Sequence, residues 1–106
     1  MANIQAMADK TANLIVCSGV SLDEKTKVAT AVFMEMQLWA RDNVPMGASA
    51  SMSERRIRAG LKHAKAKLQA DPQAYGLDPF TILTVLSAIF SIASKIWTWW
   101  NDRNNS

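Results

Sequence analysis

The sequence PFTILTVLSAIFSIASKIWTWW, residues 79–100, is the most distinctive part of this chain. No charged residue occurs from Pro79 to Ser94, and three of the protein's four tryptophans follow within residues 97–100. Asp78 and Pro79 fit the N-cap and the first position of a helix, because proline lacks the N–H group that would be unpaired there. We therefore predict one continuous apolar helix from Asp78 to about Asn101.

This helix has about the length needed to cross a membrane. Residues 80–100 would measure roughly 31 Å at about 1.5 Å per residue, close to a hydrocarbon core about 30 Å thick. The tryptophans beside Lys95 resemble the aromatic belt of a membrane interface, where a lysine amine can reach the headgroups. The residues expected to contact the membrane are Phe80, Ile82, Leu83, Leu86, Ile89, Phe90, Ile96, Trp97, Trp99 and Trp100.

The same apolar pattern also fits two other roles. A helix that is apolar on most sides is typical of the central helix of a bundle, where the neighbouring helices cover it. It would also suit docking into a groove or ring of other protein subunits. The sequence leaves these alternatives to membrane contact open.

Small hydroxyl residues recur along this helix at spacings of three and four, which places them on one face. In a membrane, small residues let helices approach closely, and hydroxyl groups can form hydrogen bonds across the contact. In water, the same stripe would be the exposed edge of a nearly buried helix. We predict self-association along this hydroxyl stripe, which consists of Thr84, Ser87, Ser91, Ser94 and Thr98.

Two helices are predicted in the first half of the chain. The first covers residues 2–17 and ends before Gly19, which can adopt the positive φ that helix ends favour. The second covers residues 21–43, begins with a capping box of Ser21 and Glu24, and stops before Val44 and Pro45.

A third helix is predicted at about residues 52–70, starting at Ser51 or Ser53, with Ser51 and Glu54 as a second capping box. Residues 51–70 hold six basic side chains and one acidic side chain, whereas the segments before and after each carry one more acidic than basic residue. The positive charge of the protein is therefore localised. The predicted anion-binding residues are Arg55, Arg56, Arg58, Lys62, Lys65 and Lys67.

Phosphate groups would be attracted to this basic helix, whether they belong to lipid headgroups or to nucleic acid. Residues 51–70 contain no aromatic side chain for base stacking, and no nucleic-acid-binding motif accompanies the charge. A solvated face that keeps the protein soluble, or a surface for an acidic partner, remains an alternative.

Together these patterns predict an all-α protein with about four helices and no strands. Residues 1–76 form a helical head, which ends in a single turn from Asp71-Pro72 to Gly76. Residues 77–106 form the apolar helix and a short polar tail. The arrangement resembles that of small virus-encoded or accessory membrane proteins.

No pattern indicates catalysis, a cofactor or a metal site. Cys17 is the only cysteine and His63 the only histidine, so the Cys/His cluster of a zinc site is missing. Phosphate-binding loops, nucleophile elbows and dinucleotide fingerprints are also lacking. A single cysteine requires no oxidising compartment, and residues 1–10 lack the pattern of a secretory signal.

We therefore expect a non-enzymatic structural or assembly protein that binds a membrane and self-associates, such as a small virion or membrane-active protein. If the apolar helix spans a bilayer, the basic helix places residues 1–78 in the cytoplasm or the virion interior. The alternative is a cytoplasmic soluble bundle that binds nucleic acid or an acidic partner through residues 54–67, with the C-terminal helix as a core or docking helix.

Overall fold

The computed structural model describes residues 3–47 and 50–105, and for residues 103–105 it describes the backbone alone. Within those ranges the chain forms helices and no strand, so the predicted all-α class is confirmed. The elements are α1 (Ile4–Leu14), α2 (Leu22–Asn43), α3 (Glu54–Ala70), a 3₁₀ turn (Pro72–Tyr75), α4 (Pro79–Ser91) and α5 (Ala93–Asn105).

The start of α2 has the predicted capping box. The Glu24 N–H donates to the Ser21 hydroxyl at 3.2 Å, and the Ser21 N–H donates to the Glu24 carboxylate at 3.1 Å. These hydrogen bonds favour the charged carboxylate and lower the pKa of Glu24. Local sequence alone therefore determines where α2 begins.

The first helix is shorter than predicted. It ends at Leu14 rather than at residue 17, because Ile15 turns into extended conformation and buries its side chain in the core. The Lys25 amine donates to the Ile15 carbonyl at 3.0 Å, which satisfies an acceptor that the helix leaves free. The predicted start at residue 2 lies outside the described residues.

The third helix starts at Ser53, one of the two predicted starts, and the predicted Ser51–Glu54 capping box is not formed. Ser53 is the N-cap, and its hydroxyl accepts from the Arg56 N–H at 3.2 Å. Glu54 becomes the first residue of the helix, so its side chain points toward Arg58 one turn further on rather than back to Ser51.

The prediction of one continuous C-terminal helix was wrong. The chain leaves helical geometry at Ile92, and α4 and α5 meet at an angle of 74°. The bend lets both segments turn an apolar side toward the same core, so that Ile89 before the break and Ile96 and Trp100 after it are all fully buried.

A single apolar core lies between the helices, and α2 packs most extensively, against α1 and α3. The contributions of α4 and α5 to this core are large, in agreement with the core-helix alternative for the C-terminal segment. The largest fully buried side chains include Phe33, Met36, Ile57, Leu61, Leu68, Ile82, Leu86, Ile89, Ile96 and Trp100.

Candidate functional site

The six predicted anion-binding residues form the outer side of α3, which we call the basic face. Five of them are exposed and Lys65 is half-buried. The opposite side of the helix packs into the core through Ile57, Leu61, Ala64 and Leu68. The 3.6-residue period of the helix thus separates an apolar side from a cationic side without any residue having to serve both.

Within the part of the chain that the structure describes, Glu54 is the one acid that forms an ion pair with this face. Glu54 lies 3.9 Å from Arg58, and both side chains are substantially exposed. An exposed pair at this distance contributes little, about 0–1 kcal/mol, and leaves the arginine available to other anions. The face can therefore attract a phosphate-bearing surface with nearly its full charge.

The basic face meets α4 at Lys65. The Lys65 amine lies 5.9 Å from the centre of the Phe90 ring, within the range of a cation–π contact. Further along α3, Gln69 lines one shallow groove together with Leu83 and with Pro72 and Pro79 at the helix starts. One cationic side chain, Lys65, thus lies against α4, and the C-terminal part of α3 lies beside Leu83.

The exposed side of α4 carries large apolar side chains. Phe80 is 66% exposed and Leu83 is 49% exposed, and we call this pair the apolar ridge. On the same helix, Ile82, Val85 and Ile89 are buried and fill the core. Single exposed apolar residues are ordinary, but two of them on the helix next to the basic face have the composition of a surface that contacts an anionic membrane.

The structure divides the ten predicted membrane-contact residues into two groups. Five are buried in the core: Ile82, Leu86, Ile89, Ile96 and Trp100. Phe80, Leu83 and Trp97 are exposed, and Phe90 and Trp99 are half-buried. In this conformation the buried five cannot contact lipid, so direct contact would fall to the remaining side chains.

Among the described residues, no single helix has the length and apolar composition of a membrane span. Taken together, Pro79–Ser91 and Ala93–Asp102 meet both criteria, but the two helices are joined at the 74° bend.

The bend also divides the predicted self-association stripe. Thr84, Ser87 and Ser91 lie on α4, whereas Ser94 and Thr98 lie on α5, so the five hydroxyls do not form one continuous face. Several of these hydroxyls donate to carbonyls of their own helix: Ser87 to Leu83, Ser91 to Ala88 and Thr98 to Ser94. Such bonds satisfy the hydroxyls locally.

A contact that the sequence did not indicate joins α5 to the start of α3. The Trp97 indole N–H donates to the Met52 carbonyl at 2.9 Å, and the Asn101 side chain bonds both backbone groups of Met52 at 2.8 Å. We call this set the Met52 clamp. Nothing in the local sequence of either segment signals it, because the partners lie 45 and 49 residues apart.

Across the described part of the chain, no three His, Cys, Asp or Glu side chains come close enough together to hold a metal ion. Burial and a hydrogen bond to Glu35 raise the pKa of Tyr75 to about 12, and this pair lies on the α2 side of the molecule.

No protein-family model, curated protein or solved structure matches this chain.

Proposed function

We propose that this protein is a non-enzymatic membrane-binding protein that attaches to an anionic bilayer surface through the basic face of α3 and the apolar ridge of α4. The observation that carries this proposal is that the helices bearing these two features are adjacent: Lys65 of the basic face contacts Phe90 of α4, and Leu83 of the apolar ridge shares a groove with Gln69 of α3. A membrane surface offers phosphates and hydrocarbon at neighbouring depths, so it can satisfy both features at once.

The basic face and the apolar ridge would contribute free energies of membrane binding of similar size. Each basic residue near an anionic leaflet contributes about 1 kcal/mol. Insertion of an exposed phenylalanine or leucine into hydrocarbon contributes about 1.5–3 kcal/mol if the side chain becomes fully buried. Neither feature is a strong anchor alone, but together they support reversible binding that depends on lipid charge and on ionic strength.

Co-sedimentation of the full chain with vesicles tests the proposal. Vesicles of equal parts phosphatidylcholine and phosphatidylglycerol should bind the protein, and vesicles of phosphatidylcholine alone should bind it at least tenfold more weakly. Lys62→Glu should weaken binding to the anionic vesicles, whereas Lys27→Glu makes the same charge change on an exposed site of α2 and should not. If the two substitutions weaken vesicle binding equally, binding depends on the net charge of the protein and not on the basic face.

A second candidate is binding of a nucleic acid or an acidic protein through the basic face alone. Burial of the apolar side of α4 and α5 in the core favours it, because those helices then need no lipid to cover them. The apolar ridge separates the two candidates. Phe80→Ser and Leu83→Ser should weaken vesicle binding but leave binding to a polyanion such as heparin unchanged.

A further inference from the structure

The break between α4 and α5 lies in a sequence that does not require one. Sharp kinks almost always occur at proline, at glycine or where a side chain or water interrupts the hydrogen bonds. Residues 91–93 are Ser, Ile and Ala, and isoleucine and alanine are both compatible with a helix interior. The backbone preferences of these residues permit a continuous helix, but the Ser91 hydroxyl takes the Ala88 carbonyl that the Ile92 N–H would use. Contacts made by α5 then hold the bend.

Those contacts all lie on α5 beyond the break. Trp97 and Asn101 form the Met52 clamp, and Trp100 is fully buried. On the other side of α5, the Lys10 amine lies 5.8 Å from the centre of the Trp99 ring. Release of these contacts would free α5 from the core and remove the interactions that hold it at the bend.

A straight helix from Pro79 to Asp102 would suit a bilayer. It would measure roughly 35 Å at about 1.5 Å per residue, against a hydrocarbon core about 30 Å thick. Lys95 and Asp102 are its charged residues, and both lie near its C-terminal end. The side chains that straightening would uncover are the five buried members of the predicted membrane-contact set, for which lipid provides an apolar environment and water does not.

The rest of the fold has its own packing. The contacts of α2 with α1 and α3 are more extensive than those of α4 or α5 with any helix. Elements with fewer contacts open at lower free energy than those with many. The contacts of α2 with α1 and α3 do not involve α4 or α5, so they can remain when the C-terminal pair separates.

We infer that α4 and α5 are a latent membrane-inserting segment, which joins into one straight helix when surface binding brings it to an anionic bilayer. This inference rests on the proposed membrane binding and adds a second, deeper mode of contact. The basic face makes the first contact, and the bilayer then replaces the protein core around Ile82, Ile89 and Trp100.

The distance between two spin labels tests this inference in the full chain. Labels at Ser51→Cys and Asp102→Cys, in a Cys17→Ser background, flank the Met52 clamp at exposed positions. The distance should be short in buffer. It should lengthen on vesicles of equal parts phosphatidylcholine and phosphatidylglycerol.

Ser94→Pro and Ser94→Ala provide a matched pair of variants. Ser94 is exposed and lies in the first turn of α5, where proline is tolerated because the N–H has no acceptor within the helix. In a straight helix, proline at position 94 would remove the hydrogen bond to the Phe90 carbonyl and clash with it. In the proline variant the distance between the two labels should stay short on vesicles. In the alanine variant this distance should lengthen on vesicles as it does in the parent protein.

Each outcome decides between the proposals. A short distance in the parent protein on vesicles that it binds overturns insertion and leaves surface binding intact. Equal lengthening in the Ser94→Pro variant overturns the straight helix, provided that this variant has the short distance in buffer. Failure of the parent to sediment with anionic vesicles overturns insertion and the proposed function together.

Discussion

The side-chain amide of Asn101 pairs with both backbone groups of Met52. Its Nδ2 donates to the Met52 carbonyl and its Oδ1 accepts from the Met52 N–H, each at 2.8 Å. Met52 lies before α3 begins, where no helical hydrogen bond is available to its backbone. Asn101 therefore holds α5 against the start of α3.

Asn101→Ala should lower the free energy of unfolding by about 1–3 kcal/mol, because the part-buried N–H of Met52 loses its acceptor. Asp102→Ala is the matched control, since Asp102 is the exposed neighbour on the same helix and should change stability by about 0.5 kcal/mol or less. Urea denaturation followed by circular dichroism measures both. Equal losses in the two variants would contradict a specific role for Asn101.

Two buried threonines should respond in opposite directions to replacement by valine. The Thr11 hydroxyl is buried and has no hydrogen-bond partner among the described residues. Thr11→Val removes this unpaired group at nearly constant shape and should raise the free energy of unfolding by about 1 kcal/mol.

The Thr81 hydroxyl lies 3.2 Å from the Asp78 carboxylate and 3.4 Å from that of Glu24. Thr81→Val removes a donor to these carboxylates and should lower the free energy of unfolding by about 1–2 kcal/mol. Thermal and urea unfolding of the two variants side by side give the comparison. A loss of stability in Thr11→Val as large as that in Thr81→Val would contradict the prediction that the two substitutions act in opposite directions.

The raised pKa of Tyr75 predicts that the stability of the protein changes at alkaline pH. Its hydroxyl donates to Glu35 at 2.9 Å, and burial together with this carboxylate raises its pKa from 10.0 to about 12. Between those values the folded protein holds a proton that the unfolded chain releases, so stability must fall as pH rises from about 10 to about 12. Below pH 10 the protonated Tyr75 side chain makes its full contribution to the free energy of unfolding.

Tyr75→Phe should make the stability of the protein less dependent on pH in this range. Tyr75 is the only tyrosine, so phenolate absorbance reports its ionisation directly in the parent protein. The pKa should fall toward 10 in Glu35→Gln, which removes the acceptor charge. An absorbance midpoint near 10 in the folded parent would disprove the raised pKa.

The sequence predicts those elements whose signals are local. Ser21 and Glu24 lie three residues apart and fix the start of α2 without help from the rest of the chain. The charge of the basic face is likewise a property of residues 55–67 alone, because helical periodicity separates it from Ile57 and Leu61. These features follow from adjacent residues, so sequence patterns were sufficient to find them.

The bend at Ile92 could not be found in this way. The Ser91 hydroxyl bonds to the Ala88 carbonyl beside it, but serine at a helical position does not by itself predict a break. The other contacts that hold the bend come from Met52, Lys10 and the core, all distant in sequence. For the same reason the adjacency of the basic face and the apolar ridge could not be predicted. It depends on how α4 returns alongside α3 after the 3₁₀ turn.

The most direct test of the central claim is the polarity around Leu83 when the protein meets a membrane. An environment-sensitive fluorophore is attached to Leu83→Cys on the apolar ridge or to Met34→Cys on α2, each in a Cys17→Ser background. The two positions are 49% and 53% exposed in the free protein. On anionic vesicles the Leu83 label should shift its emission to the blue while the Met34 label stays unchanged. A shift at Met34 alone, or no shift at Leu83 on vesicles that bind the protein, would contradict membrane contact through α3 and α4.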